Sequence, residues 1–497
     1  MLPLLRPDDT CWRIAQADDF SIIIDADDYF RAARAAMMQA KRSIFLVGWD
    51  FNASIVLGHP KVHDEAPPHV GDFLLWLAQQ NRELEIRLLL WNPGFISAWS
   101  KVSNIHYLLR WKMHRQISVL LDGNHPVGSS HHQKILVIDD SVAFCGGIDV
   151  TLDRWDTRKH SDNDPLRCRP NGSPYSPWHD ASSVCTGAAA QTLGDLCRNR
   201  WELAGGKVGP REKGHTDIRL PEAAFSFGPL ELAVCRTSPT HQDRAAILEI
   251  EKLHVELIGA ARHFIYAESQ YFASRKIAQA IAKRLGEEGG PEIVLITPLK
   301  ADNWLGSLAM DTARARLRES LRKHDKFDRL RIYHPVTAGG EPIYVHSKLM
   351  IVDDRFLRVG SSNFNNRSMR FDNECDVAFD ASQDPSGNLA AKLTHLRDNL
   401  IAEHLGTSPG AVTGAISKRG SLIAAIEDIR QSRTKETQAS ATLIPYEVPE
   451  VPDLAKWLAD NEILDPEGPE GVFEPIEKRG LFRRNLRMPR KRTKGQS

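Results

Sequence analysis

The chain has no net charge and no long apolar run. Its 64 Lys and Arg residues balance 64 Asp and Glu residues, so the average charge names no partner, and any attraction to nucleic acid or membrane must come from local patches. No stretch approaches the roughly 18 apolar residues of a membrane span. The longest, such as 86–91 with Arg87 inside it, have strand length. The opening MLPLLRPDDTCW lacks a basic segment followed by the about 7–15 apolar residues of a secretion signal. The seven cysteines are scattered, odd in number and form no CxxC pair. That argues against a disulfide framework or a zinc site and fits a reducing compartment, with the thiols buried as small apolar groups. These absences describe a soluble or peripheral protein of cytoplasmic type; export without a cleavable signal stays open. With 497 residues, 42% hydrophobic and 26% charged, the chain can bury a large core in more than one domain.

What is present is a pattern that occurs twice. HHQKILVIDDSVAFCGGIDV (131–150) and VHSKLMIVDDRFLRVGSSNF (345–364) each hold a His, a Lys two residues on and an Asp five beyond that: His132, Lys134, Asp139 and His346, Lys348, Asp353. Paired small residues follow (Gly146–Gly147, Gly360–Ser361), then a short polar side chain (Asp149, Asn363). A single HxK on a strand is ordinary; two copies with matching Asp, small and polar positions are not readily accidental. Two such copies can hold one phosphate diester between two histidines, which implies a phosphodiesterase.

The surrounding pattern repeats as well. In the first half, strands are predicted at 21–24, 43–51, 85–92 and 116–123, with helices after Asp25 and around 73–81. The second half repeats the order, with a helix over 247–261, strands at 263–272, 292–298 and 329–335, and a helix near 277–285. Strands alternating with helices predict an α/β fold with a mixed or parallel sheet. A period of about 210–220 residues is far too long for a solenoid and marks a duplicated domain. The expected architecture is two related α-β-α sandwich halves, packed as a pseudo-twofold duplicate with the site at their interface. The Gly-, Pro- and charge-rich stretch 204–222 divides the chain into 1–205 and 206–430. Residues 156–180 read as an insertion that shapes the site. Residues 431–497 are Pro- and Glu-rich, then basic, and read as a solvated flexible tail. The alternative is a basic anchor to anionic lipid, with Leu481, Phe482, Leu486 and Met488 dipping into the interface.

Residue chemistry assigns roles. KILVI and KLMIV have strand composition, so His132 and Lys134 are expected on one strand face, and His346 and Lys348 on another. A neutral imidazole can attack phosphorus or carry a proton, while an adjacent ammonium stabilises the growing charge. Asp139–Asp140 and Asp353–Asp354 look like hairpin turns. Backbone amides at Gly147 and Ser361 are expected to approach phosphate oxygens, with Asn363 donating from its side chain. Ionised Asp149 should instead accept bonds from protein donors. A catalytic imidazole also needs its far nitrogen held by a carboxylate. Asp180 is expected to orient His132, and Glu374 to orient His346. Any one of Trp49, Trp91, Trp155 and Trp178 is by default core, with one or two left to line an acceptor pocket.

These residues resemble the phospholipase D superfamily, whose signature is HxKxxxxD followed by G-[GS]-x-[ND]. The likeness covers about residues 20–405 and includes GGIDVTLDRWDTRKH, PWHD, RNRW and IYAESQYF. Ser269 stands in the last of these where relatives commonly have Asn. Asp149 suits the eukaryotic-like branch, and no stretch resembles the PX, PH or C2 modules of larger relatives. The resemblance implies attack by His132, acid/base work by His346, and Lys134, Lys348 and Asn363 on the phosphoryl oxygens. In that scheme Asp139 and Asp353 complete the catalytic signature, although as turn residues they suit a scaffold role better. Asn365 and Arg367 are expected to support the pocket. No metal or other cofactor is required. The implied partner is a phospholipid such as phosphatidylcholine, reached by peripheral contact with a membrane surface. The implied products are phosphatidic acid and a free headgroup, with transphosphatidylation as an accompaniment. A cardiolipin synthase-like phosphatidyltransferase shares the chemistry but commonly carries N-terminal spans. A metal-independent nuclease ranks lower, since the lipase-like flanks surround the site, so no nucleic-acid partner is expected. A non-enzymatic lipid binder would be expected to have lost a His or Lys. The sequence names no oligomeric state.

Overall fold

The computed structural model describes residues 3–57, 64–92, 105–209, 216–222, 224–301, 310–433, 441–447 and 465–466. The first half contributes β1 (Arg13–Ile24), β2 (Ser43–Gly48), β3 (Glu85–Trp91), β4 (Ile117–Asp122), β5 (Ile135–Ile138), β6 (Val142–Gly146), β7 (Trp178–His179) and β8 (Ala181–Thr186). The second contributes β9 (Phe225–Ser238), β10 (Ile247–Leu248), β11 (Phe264–Glu268), β12 (Glu292–Ile296), β13 (Leu330–Val336), β14 (Tyr344–Val345), β15 (Leu349–Val352), β16 (Phe356–Gly360) and β17 (Glu374–Asp380), and the stretch read from sequence as a flexible tail adds β18 (Thr442–Pro445), which pairs with β13.

One 16-stranded sheet runs through both halves in the order β18-β13-β12-β11-β15-β16-β17-β9-β1-β8-β6-β5-β2-β3-β4, with β10 paired to β9. Its symmetry is internal. β2, β3 and β4 run parallel, and β5 joins β2 antiparallel. β11, β12 and β13 are likewise parallel, and β15 joins β11 antiparallel. The halves meet where β1 and β9 pair antiparallel, from Arg13 opposite Val234 to Ile22 opposite Phe225. The sheet is therefore mixed and duplicated, as the strand–helix alternation implied.

Helices cover both faces. Ala26–Met38 and Val70–Gln80 pack on the first half and bury Phe30, Ala33, Met37, Phe73, Leu74 and Leu77. Glu249–Ala260 and Arg275–Leu285 do the same on the second half with Ile250, Leu253, Leu257, Ile277 and Ile281. On the other face, Ala188–Leu203 and Asn388–His404 contribute Leu193, Trp201, Leu393 and Leu400 to one core that both halves share. Burial of these apolar stripes is what holds the halves together. Those last two helices were not predicted; their small and polar residues dilute the apolar period. Asp25 precedes the first helix, but its side chain makes no cap there and turns to the buried interior instead. No helix among the described residues is long and apolar enough to cross a membrane. All seven cysteines are free; only Cys168 is exposed. Leu481, Phe482, Leu486 and Met488 lie outside the described residues.

Candidate functional site

The two His–Lys pairs do not sit on the strands that the sequence pattern suggested. β5 begins at Ile135 and β15 at Leu349, so each pair lies in the extended segment just ahead of its strand. Lys134 donates Nζ–H to the carbonyl of His132 at 2.8 Å, and Lys348 donates in the same way to the carbonyl of His346. Lys134 also pairs with Asp149 at 3.1 Å. Asp149 accepts from the amide of Trp49 at 3.1 Å, the acceptor role expected of an ionised carboxylate.

The orienting carboxylates correct the expected pairing: each imidazole is held by the opposite half. His132 Nδ1 lies 3.1 Å from Glu374, and His346 Nδ1 lies 2.7 Å from Asp180. The backbone explains the crossing. His132 donates its amide to the carbonyl of Asn373 at 2.9 Å, which places the next residue, Glu374, beside its ring. His346 donates to the carbonyl of His179 at 2.8 Å, which places Asp180 beside its ring. β7 and β14 pair in parallel at the same place, Val345 opposite His179. Sequence order alone favoured the carboxylate in the same half.

Tautomers follow from the partners. His132 Nδ1 faces the Ser361 carbonyl at 3.0 Å as well as Glu374. A carbonyl only accepts, so Nδ1 carries the hydrogen and Nε2 is left with its lone pair. Burial first, then the charges of Lys134 and Lys348, holds His132 well below its ordinary pKa. Burial followed by Lys348 and Arg154 does the same to His346. Burial also pushes Glu374 up to about 8, against the opposing pull of Ser361 and Lys134, and it raises Asp180. Each dyad is thus an uncharged imidazole beside a carboxyl that resists ionisation. Burial lowers Lys348 to about 7. His132, Lys134, His346 and Lys348 influence one another electrostatically across the halves, so the two motifs share one cleft. Trp49 borders it beside His132, with ring centroids 6.1 Å apart, and Trp178 beside His346 at 5.1 Å.

The paired small residues have a different task from the one expected. The amide of Gly147 is spent on the Ala181 carbonyl at 2.9 Å, and that of Ser361 on Cys375 at 3.0 Å. Neither is left for a phosphate. Gly147 is small because an added Cβ would lie 2.1 Å from Asp180 Oδ1; glycine lets Asp180 reach His346. Ser361 donates Oγ–H to Glu374 at 2.5 Å, and Ser368 does so at 2.7 Å. Asn363 gives its amide to Gln270 at 3.4 Å, while its Oδ1 is buried without a partner. Asn365 accepts from the amide of Ser368, and Arg367 clamps Asp372 at 2.7 Å, so both support the loop that carries Glu374. Ser269 accepts from the amide of Phe364 at 3.1 Å and does not enter the cleft chemistry.

Asp139 and Asp353 lie away from the reacting groups. Asp139 accepts from the amides of Lys41, Arg42 and Ser43 at 2.7–2.8 Å. Asp353 accepts from Arg262, His263 and Phe264 at 2.7–2.9 Å. Each ties its hairpin turn to the start of a neighbouring strand, and each has a positive φ, 52° and 55°. They are scaffold residues.

Behind the site lies an ionic cluster that sequence reasoning did not assemble. His179 Nε2 lies 2.9 Å from Glu268, and its Nδ1 lies 3.2 Å from Asp25 and 3.1 Å from Glu403. His160 bridges Asp156 at 3.0 Å and Glu403 at 3.3 Å. Carboxylates on both sides outweigh burial and raise His160 to about 10, and they raise His179 as well. Glu268 accepts from Ser347 at 2.6 Å and Asp25 from the amide of Asp180 at 3.0 Å, so the cluster braces the His346–Asp180 pair from beneath. Asp25, His160, His179 and Glu403 place four ligand atoms within 4.8 Å of one another, as do His179, Glu268 and His404 with three. These groups could hold a metal in place of the imidazole protons. The sequence signals were the short PWHD, RWDT…H and IYAESQYF flanks, the last of which carries Glu268.

The fold and site define a duplicated α/β protein with two His–Lys pairs and crossed carboxylates in one cleft. Residues 36–235 match the family model described as phospholipase D, and residues 254–396 that described as cardiolipin synthase, PLD-like domain. The chain belongs to the phospholipase D superfamily. It is 26% identical over 80% of its length to phospholipase D A of Dictyostelium discoideum, and 23% identical over 77% to phospholipase D1 of Saccharomyces cerevisiae. It spans only 36% and 28% of those two proteins. A phosphatidylserine synthase from Haemophilus influenzae Rd KW20 shares the fold, with a TM-score of 0.52 at 16% identity over 84% of this chain and 96% of the other.

Proposed function

We propose that this protein is a phospholipase D that cleaves a glycerophospholipid to phosphatidic acid and a free headgroup. The observation that carries the reading is the pair of uncharged imidazoles, each with Nδ1 tied to a carboxylate of the opposite half and each beside a lysine. His132 Nε2 attacks phosphorus, and the P–O bond to the headgroup breaks. Lys134 and Lys348 stabilise the charge on the phosphoryl oxygens. The bound phosphate anion favours the imidazolium of His346, which protonates the leaving alkoxide. Neutral His346 then takes a proton from water, whose oxygen attacks phosphorus, breaks the P–N bond and regenerates His132. An acceptor alcohol in place of water gives transphosphatidylation. Residues 1–205 and 206–430 are the two halves that supply one motif each, and the substrate is drawn from a membrane surface by peripheral contact in a cytoplasmic setting.

The test is product analysis by mass spectrometry on mixed phospholipids, with and without a primary alcohol. Phosphatidic acid is expected, replaced in part by phosphatidyl alcohol, and His132→Ala and His346→Ala each lower the rate by at least about a thousandfold, the scale of losing a group that acts as part of a unit. Undiminished activity in either variant refutes the mechanism. A second reading, phosphatidyl transfer to a lipid alcohol, draws on the cardiolipin synthase-type model matched by residues 254–396. Cardiolipin as the main product from phosphatidylglycerol would favour it.

A further inference from the structure

The cleft holds more positive charge than its two lysines supply. Arg154 lies in the loop after the first motif and lays its guanidinium over Trp178, 4.3 Å from the ring centroid. Trp178 in turn lies 5.1 Å from the His346 ring. Arg154 Nη1 donates only to the carbonyls of Leu152 and Asp153, at 3.3 and 3.4 Å, and its Nε is buried without a partner. Among the described residues no carboxylate pairs with it. The buried Arg34, Arg200, Arg314, Arg358 and Arg397 each meet an acid. An unpaired guanidinium beside a catalytic histidine is costly to leave half-buried unless an anion visits it.

The position of that charge is specific. In an in-line displacement the leaving group departs opposite the nucleophile. With His132 attacking, the headgroup lies on the His346 side, where Trp178 and Arg154 are. A cavity of about 610 Å³ opens beside Trp178, bordered by Asp153, Arg169, Tyr175, Trp178, Lys300 and Tyr344, and Arg154 stands against the Trp178 ring that forms one of its walls. Asp153 is neutralised by Arg169 at 2.7 Å. Lys300 is exposed and pairs with no acid among the described residues. The cavity is therefore net positive. The Trp178 ring is stacked by Tyr344 at 4.5 Å and overlaid by the Arg154 guanidinium, whose charge disfavours a quaternary ammonium on that ring.

We propose that Arg154, with Lys300, makes the headgroup side of the cleft selective for a phospholipid whose headgroup carries a carboxylate or a second phosphate, over one with a quaternary ammonium. The proposal rests on the phospholipase D reading. Its test compares kcat/KM for phosphatidylserine and phosphatidylcholine, each at the same mole fraction in detergent micelles, with an anionic detergent added to the phosphatidylcholine micelles so that surface charge is matched. The wild-type protein is expected to favour phosphatidylserine by about tenfold or more, the size of one charge-assisted hydrogen bond. Arg154→Gln should erase most of that ratio, Arg154→Lys should restore part of it, and Lys300→Gln, at an exposed position, should reduce it without a folding defect. Equal loss on both lipids would place Arg154 on the scissile phosphate and overturn the proposal, as would a wild-type preference for phosphatidylcholine. Cleavage of neither lipid, nor of any other phospholipid, would instead refute the phospholipase reading itself.

Discussion

Lys348 is the residue whose chemistry is most exposed to pH. It is buried between the two halves, and burial lowers it to about 7. A lysine is charged below its pKa and neutral above it, so phosphate binding by the free protein weakens as pH rises through about 7. We expect kcat/KM to fall about tenfold per unit above that point. Lys348→Arg, whose guanidinium stays charged, should flatten that alkaline limb even if the absolute rate is lower; an unchanged limb would assign it to another group. Glu374 presents the opposite case. Its pKa, raised to about 8, means that the folded state disfavours its ionised form. Between the ordinary carboxylate range and pH 8 that preference costs stability, and the cost is absent at acid pH. Glu374→Gln keeps an acceptor for His132 and removes the charge. Thermal melts at pH 8 should show the variant at least as stable as the wild type, while turnover drops by a hundredfold or more.

At the scale of the element, the hairpins after the two motifs depend on one aspartate each. Asp139 and Asp353 gather three backbone amides apiece. Asn at either position tolerates the positive φ but offers one acceptor oxygen in place of two. Denaturant unfolding of Asp139→Asn or Asp353→Asn should show a loss of about 1–3 kcal/mol, with kcat/KM for the folded fraction within severalfold of wild type. A loss of chemistry without a loss of stability would return these residues to the reacting centre. The parallel strands of both halves and the helices Ala26–Met38, Val70–Gln80, Glu249–Ala260 and Arg275–Leu285 were legible from periodicity because each turns an apolar face to a core, whereas β8, β9 and β17 were not predicted. Helices Ala188–Leu203 and Asn388–His404 were not, because tertiary burial in the shared core, rather than a clean period of their own, fixes them.

For the whole molecule, the duplication matters because neither half completes its own imidazole. Double-mutant cycles read this directly. His132 should couple to Glu374 and His346 to Asp180, so that each paired double variant is no worse than the single ones. Combining His132→Ala with Asp180→Ala, or His346→Ala with Glu374→Ala, tests whether coupling instead follows the chain half. Stronger coupling within a half than across the halves would contradict the crossed arrangement. The bracing cluster of Asp25, His160, His179, Glu268 and Glu403 likewise draws from both halves, and so does the aromatic pair Trp178–Tyr344.

By itself the sequence determined the duplicated α/β architecture and the two His–Lys pairs of the candidate site, because apolar periodicity and a doubled HxKxxxxD spacing are local properties that survive without coordinates. It also named both orienting carboxylates. It could not say which imidazole each one serves, that the amides of Gly147 and Ser361 are already taken, or that Arg154 forms no ion pair with an acid among the described residues. Those facts depend on which backbone carbonyl lies opposite which amide across the interface between the halves. Pairing between segments some 170 to 240 residues apart in sequence is set by the folded sheet, and no spacing within either motif encodes it.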